Sequence, residues 1–296
     1  MTYSLLTPEG FSDYELIDSG NFEKLERFGK FTLIRPEPQA IWNKSKPQEW
    51  YQLADATFKR EVSKASSNYE KGNWQFKKEL NNWQISYKLK EQSFKLNLAP
   101  TSFKHVGVFP EQAPNWDFIY NTIQSIPTPK PKVLNLFAYT GGASLAAKAA
   151  GGDVTHVDSV KQVISWSRRN MESSKLNDIR WVIEDAFKFV QREVKRGNTY
   201  QGIILDPPSY GRGPNGEKWV LEEQLNELLS QCASLLEHKN SFLVLNLYSM
   251  GLSPIIAETL LHTHFPQVKE IHSGELYLED RYQKKLPLGI FSRFRN

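Results

Sequence analysis

Three observations place this chain in the α/β class with a doubly wound sheet. Short apolar strands alternate with helices from residue 133 onward, a pair of adjacent glycines follows the first of these strands, and an aspartate closes the second. Taken in order, residues 133–137 form an apolar strand and 143–150 an alanine- and lysine-rich helix. A second strand ends at His156-Val157-Asp158 and leads into a helix over 160–174. A third strand at 180–184 precedes a helix at 186–196, and a fourth at 200–206 precedes one at 221–236. A fifth strand at 242–248 leads to a helix at 253–263. Strands regularly separated by helices imply a parallel sheet covered on both faces. The last two strands, 269–277 and 288–294, have no helix between them, which predicts an antiparallel hairpin at one edge of the sheet.

The first hundred residues have a different rhythm. Phe31-Thr32-Leu33-Ile34-Arg35 and the alternating run 83–89 read as strands, residues 49–62 as a helix, and Gly72-Asn73 and Asn81-Asn82 as turns. A proline run, Ile126-Pro127-Thr128-Pro129-Lys130-Pro131, separates this small β-rich α+β region from the alternating part. The expected division is therefore 1–124, which would contact substrate, and 125–296, which would hold a cofactor.

Composition narrows the class further. Hydrophobic residues make up 40% and charged residues 24%, as in an ordinary globular protein. No apolar run is long enough for a membrane span, and the acidic N-terminus does not read as a signal peptide. A lone cysteine, Cys232, rules out a disulfide framework and a multi-cysteine zinc site, and it fits a reducing cytoplasm. No metal is expected. The net charge of +4 is unevenly spread: residues 44–104 hold 12 Lys and Arg against 6 Asp and Glu. Trp42, Trp50, Tyr51, Tyr69, Trp74, Phe76, Trp83 and Tyr87 are interleaved with them. Such a stretch either docks a polyanion while its aromatics stack on bases, or is a solvated β-surface over an aromatic core.

The candidate site residues cluster at the carboxyl ends of the strands, where open α/β sheets bind ligands. The first strand runs out through Asn135, Leu136, Phe137, Ala138, Tyr139, Thr140, Gly141, Gly142 and Ala143, and the two glycines let the backbone turn sharply beneath a ligand. Asp158, followed by Ser159, ends the second strand, where a carboxylate can accept from both hydroxyls of a ribose. Dinucleotide folds share this arrangement, but they require G-x-G-x-x-G, and here Phe137 and Tyr139 occupy the early turn. After the third strand, Glu184-Asp185-Ala186 offers a carboxylate to an adenine amino group, or simply a cap for the next helix. The fourth strand ends in Asp206-Pro207-Pro208-Ser209-Tyr210-Gly211, the most specific local feature. The two prolines hold the aspartate rigidly, and Tyr210 supplies an aromatic for stacking on a base, so Asp206, Pro207, Pro208 and Tyr210 are the expected catalytic set.

The ordered set N-L-F-A-Y-T-G-G-A-S, H-V-D, E-D-A and D-P-P-S-Y-G resembles the class I S-adenosylmethionine (SAM)-dependent methyltransferases. Within these it is similar to the bacterial branch that includes the large-subunit ribosomal RNA enzymes acting on cytosine C5 and guanine N7. The resemblance spans about residues 100–296 and implies a seven-stranded Rossmann-like sheet with SAM as cofactor. It implies that the turn 137–144 wraps the methionine part, Asp158 the ribose and Asp185, next to Ala186, the adenine. It also draws in residues 103–112, similar to a T-G-x-(Y/F)-x-D-Q-R segment laid across the cofactor. That assigns Lys104, Gly107, Phe109 and Gln112 to cofactor binding, although Ala113 stands where the pattern has arginine.

Transfer to cytosine C5 requires a thiolate that adds to the ring. Neither Asn246-Leu247-Tyr248-Ser249-Met250-Gly251 nor the D-P-P loop contains cysteine, and Cys232 lies within a helix. Direct transfer to nitrogen or by another non-covalent route is expected, with ribosomal RNA as partner and a monomer or homodimer as the assembly. Two alternatives stay open at this level: a methyltransferase acting on a small molecule or protein, and a non-catalytic protein that binds SAM and nucleic acid.

Overall fold

The computed structural model describes residues 3–60, 72–248 and 251–296. In the N-terminal region, β1 (Ser4–Leu6), β2 (Tyr14–Gly20), β3 (Glu23–Phe28) and β4 (Phe31–Pro36) precede α1 (Pro47–Leu53). Then come β5 (Ala56–Arg60), β6 (Gly72–Phe76), β7 (Gln84–Lys88) and β8 (Ser93–Asn97), with α2 (Ala113–Ser125) running up to the proline run. The alternating part consists of β9 (Lys132–Leu136), α3 (Gly142–Ala149), β10 (Asp153–Asp158), α4 (Lys161–Ser173), β11 (Ile179–Ile183) and α5 (Ala186–Lys195). It continues with β12 (Gly202–Leu205), a small hairpin of β13 (Tyr210–Arg212) and β14 (Lys218–Val220), and α6 (Leu221–Leu235). The last elements are β15 (Phe242–Leu247), α7 (Pro254–His264), β16 (His272–Glu279) and β17 (Lys285–Arg295).

The large sheet has the order β1-β16-β17-β15-β12-β9-β10-β11. All neighbours are parallel except that β17 runs antiparallel to both β15 and β16. The seven expected strands are therefore present in a doubly wound arrangement. The terminal hairpin is not the edge, however, because β1 pairs parallel with β16 and becomes an eighth, outermost strand. Strand order reverses between β9 and β12, which opens a crevice above their carboxyl ends.

Beside this sheet, β2–β6 form a five-stranded sheet and β7–β8 a separate hairpin. The expected helix over 49–62 stops at Leu53; Ala56, Thr57 and Phe58 go into β5, and Glu61 and Val62 lie outside the described residues. Gly72-Asn73 opens β6 rather than making a turn. A Cβ on Gly72 would sit 2.2 Å from the Lys59 carbonyl oxygen, so the glycine serves a close strand approach.

One apolar cluster joins the two regions. It runs from Phe28, Trp83, Tyr87 and Phe94 through Trp116 to Leu145 and Val133. A second cluster fills the other face of the large sheet beneath α5, α6 and α7. Hydrogen bonds fix the junction as well: Trp166 Nε1 donates to the Asn97 carbonyl (2.6 Å), and the Asn97 amide donates to Asn170 Oδ1 (2.8 Å). The β-rich region is thus held at a set position over the crevice. Among the described residues, no helix is long and apolar enough to cross a membrane.

Candidate active site

The turn after β9 has an unusual backbone. Phe137 (φ 55°), Tyr139 (φ 49°) and Gly141 (φ 92°) all lie in the left-handed region. For the two aromatics this costs on the order of 1 kcal/mol each, so the surroundings must enforce it. The Tyr139 amide donates to Asp158 Oδ2 (2.9 Å), and its carbonyl accepts from Ser167 Oγ (2.7 Å). The Thr140 carbonyl accepts from Asn170 Nδ2 (2.9 Å), while Thr140 Oγ1 donates to the Gly107 carbonyl (2.7 Å). Gly141 caps α3, and Gly142 is pressed against Trp116, where an added Cβ would come within 2.8 Å of the ring.

A buried polar chain supports the turn from below. Asn135 Nδ2 donates to Ser144 Oγ (2.8 Å), and Ser144 Oγ shares a hydrogen bond with His156 Nδ1 (2.9 Å). Burial lowers the His156 pKa to about 3, so its imidazole stays neutral and bridges α3 to β10.

A cavity opens over the turn at the point where the strand order reverses. Its walls are the turn from Phe137 through Ala138, Tyr139, Thr140, Gly141 and Gly142 to Ala143, with Asn135 beneath. Phe109, Gln112, Asn115 and Trp116 face them from the segment entering α2. Asp206 and Asn246 close the base at the ends of β12 and β15. Asn246 Nδ2 donates to Asp206 Oδ1 (2.6 Å), and desolvation raises the Asp206 pKa to about 6 even against that bond. Among the described residues, Asn246 Oδ1 is buried without a hydrogen-bond partner.

The remaining candidates lie outside these walls. Asp158 uses Oδ2 on Tyr139 and Oδ1 on the Val160 amide (2.9 Å), with a further bond from the Ser159 amide. Burial, the larger influence, still leaves its carboxyl above the ordinary range. Asp185 caps α5 by accepting from the Lys188 amide (2.9 Å), with Ala186 buried as the first helical residue. Pro207 is buried, whereas Pro208 is exposed and accepts through its carbonyl from Trp219 Nε1 (2.6 Å). Trp219 in turn packs on Phe137 with ring centroids 4.9 Å apart. Tyr210 is 52% exposed in the β13–β14 hairpin and does not reach the cavity. Gly107 acts through its carbonyl on Thr140.

Lys104 is buried and lines a second cavity with Lys24, Arg35, Glu37, Glu111 and Tyr248. The two cavities share Val108 and Phe109 as a common wall. Sequence alone does not single out Asn115, Trp116, Asn246 or the His156 network. Only Asn246, at the end of a strand, carries a positional signal there. Cys232 is fully buried in α6, and desolvation pushes its thiol well above its ordinary range.

Sheet order, glycine turn and crevice together define the class I methyltransferase fold. A family model described as Conserved hypothetical protein 95 matches residues 114–249. The SAM-dependent methyltransferase of Agrobacterium tumefaciens superposes with a TM-score of 0.89 at 38% identity, covering 100% of this chain and 94% of that one. The chain belongs to the SAM-dependent methyltransferases. SMU.776, solved with S-adenosylhomocysteine (SAH), shares the fold at a TM-score of 0.69 and 17% identity, over 96% of this chain and 76% of its own. Ribosomal RNA large subunit methyltransferase I of Escherichia coli is 34% identical over 82 residues, 27% of this chain. The chain spans about a fifth (21%) of the length of that curated relative.

The residues present fit SAM. The left-handed turn at Tyr139 and Gly141 brings the backbone close beneath a ligand, Asn246 Oδ1 offers an unsatisfied acceptor, and the apolar flank of Trp116, Ile119 and Leu205 suits the uncharged parts. When bound, the cofactor supplies an activated methyl group.

Proposed function

We propose that this enzyme methylates a base of ribosomal RNA by direct transfer, without a cysteine nucleophile. The observation that carries the mechanism is Asp206. It is a desolvated carboxylate fixed by Asn246 at the carboxyl end of β12, facing the same cavity as the glycine turn. A carboxylate so placed accepts a hydrogen bond from an acceptor amine and holds it in line, and positioning is most of what a sulfonium donor requires. The sole thiol sits in the core packing of α6.

In this reading the turn 137–143 cradles the methionine part of the cofactor, Asp158 the ribose and Asp185 the adenine. Phe109 and Gln112 close over it. Residues 125–296 hold the cofactor and residues 1–124 supply the surface for RNA. The described aromatics of that region differ in exposure, with Trp42 and Trp74 half-buried against the core. Trp50, Trp83 and Tyr87 are core, while Tyr51 and Phe76 are exposed beside Lys59, Lys77 and Lys78. Exposed rings among lysines suit stacking on unpaired bases near a phosphate chain. Tyr69, Lys64 and Lys71 lie outside the described residues. The likeness to the E. coli enzyme supports ribosomal RNA as the polyanion, which would put the reaction in the cytoplasm.

The test is transfer of labelled methyl from SAM to ribosomal RNA isolated from a strain lacking the gene, followed by mass mapping. Incorporation at one nucleotide, retained in Cys232→Ser, is expected. No incorporation into any ribosomal RNA overturns the substrate, and loss of transfer in Cys232→Ser with SAM binding intact overturns the route.

A further inference from the structure

An arginine close to the end of the chain reaches the wall of the cofactor cavity. Arg293 lies in β17 opposite Val244 of β15, and its guanidinium rests on the rings of Phe118 and Phe291, 4.4 and 4.9 Å from their centroids. Its Nη1 donates to the Pro114 carbonyl (2.9 Å) and to Asn115 Oδ1 (2.9 Å), both in the first turn of α2. Arg35 is buried too, but it grips Glu26 through Nε (2.8 Å) and Nη2 (2.9 Å). Among the described residues, no carboxylate lies within ion-pairing distance of Arg293, and its Nε is buried without a partner. Burial lowers its pKa to about 10, so it stays charged at neutral pH. A desolvated cation matched only by neutral oxygens costs stability, and such costs gather at functional sites.

These contacts set a direction. A guanidinium has donors and no acceptor, so the side-chain oxygen of Asn115 must face it and the amide nitrogen must face away. That nitrogen, Nδ2, donates to Gln112 Oε1 (3.0 Å). The Gln112 oxygen is thereby occupied, and its Nε2 is left for the cofactor cavity, which both side chains line. Among the described residues, this Nε2 donates to no protein group. Without Arg293 nothing dictates which end of either amide is turned to the cavity.

We propose that Arg293 is a positioning residue for the cofactor, acting through Asn115 to turn the Gln112 amino group toward the carboxylate of SAM's methionine part. The assignment rests on the reading that Gln112 closes over the cofactor. An N–H donor suits a carboxylate, whereas an amide oxygen turned the same way repels it. Arg293 itself touches neither the cofactor nor the reacting atoms, so its effect falls on binding.

Calorimetric titration with two ligands tests it: SAH, and methylthioadenosine, which keeps the nucleoside and the sulfur but has no carboxylate. Circular dichroism and urea unfolding check the fold of each variant. Arg293→Met and Gln112→Leu should each bind SAH about tenfold or more weakly, the scale of a hydrogen bond to a charged group, and bind methylthioadenosine as wild type does. The double variant should be no weaker than Gln112→Leu alone, because both changes break one path. Arg293→Lys, which keeps a cation with donors only, should lose less. Equal losses for the two ligands, or additive losses in the double variant, overturn the proposal. Loss in Gln112→Leu beside wild-type binding in Arg293→Met overturns the role of Arg293 alone. Wild-type SAH affinity in Gln112→Leu instead overturns the placement of Gln112 over the cofactor.

Discussion

Replacing Asp206 by Asn should make the protein more stable and the enzyme inactive. The Asp206 carboxyl has an ordinary pKa of 3.8 and reaches about 6 in the fold because burial disfavours its charge. Between these values the folded state keeps a proton that the unfolded chain has released. Stability therefore falls as pH rises through this window and levels off above about pH 6. That displacement corresponds to about 3 kcal/mol at neutral pH, a ceiling because the group meets the cavity. In Asp206→Asn the side-chain amide oxygen would still accept from Asn246 Nδ2, and it carries no charge to desolvate. Urea unfolding from about pH 4 to 8 is the assay. With a slope of ~3 kcal/mol per molar, the variant's midpoint should exceed wild type by up to about 1 M at about pH 7.5 and converge with it near pH 4. SAM affinity should be kept while methyl transfer is lost. A variant no more stable above neutrality, or a difference independent of pH, would refute the account of Asp206 as a desolvated carboxylate.

Three other outcomes follow from the geometry. Gly142→Ala drives a Cβ to 2.8 Å from Trp116, a ring boxed in by Tyr87 and Phe94. It should cost about 1–3 kcal/mol by chemical denaturation and weaken SAM binding in calorimetry, and unchanged values would show that the ring yields. Arg35→Met leaves Glu26 buried with only Lys24 and Tyr14 beside it, so a loss of about 3–5 kcal/mol is expected in the same denaturation assay. His156, with its pKa at about 3, should show an NMR ring resonance that does not move between about pH 5 and 8; a titration near the ordinary 6.5 would dissolve the neutral bridge between Ser144 and β10.

The cofactor half of the molecule is legible because its signals are local. Strand, glycine turn and following helix are contiguous, so spacing alone locates residues 137–143 and Asp206. What stays hidden depends on partners distant in sequence. Nothing near His156 announces that Ser144 and Ser167 will meet its two nitrogens, and nothing near Glu111 shows that its neighbours will be Lys24 and Arg35. In the β-rich region the same dependence misleads. Residues 49–62 read as one helix although it ends at Leu53, and Gly72 reads as a turn although its lack of a side chain admits a neighbouring strand. The aromatics are equally ambiguous in sequence: Trp83 and Phe76 look alike, yet one is core and the other faces solvent.

Strand β1 has a consequence for how the molecule comes into being. Ser4 pairs with Gly274, about 270 positions later, so β1 is made long before the strand it pairs with. During synthesis the opening segment must wait until β16 has left the ribosome. The β-rich region and the early strands of the sheet are by then available to collapse around each other. So long-range a closure is slow to search for. It acts as a late latch, and damage to β16 should be felt at β1 as well as at β17.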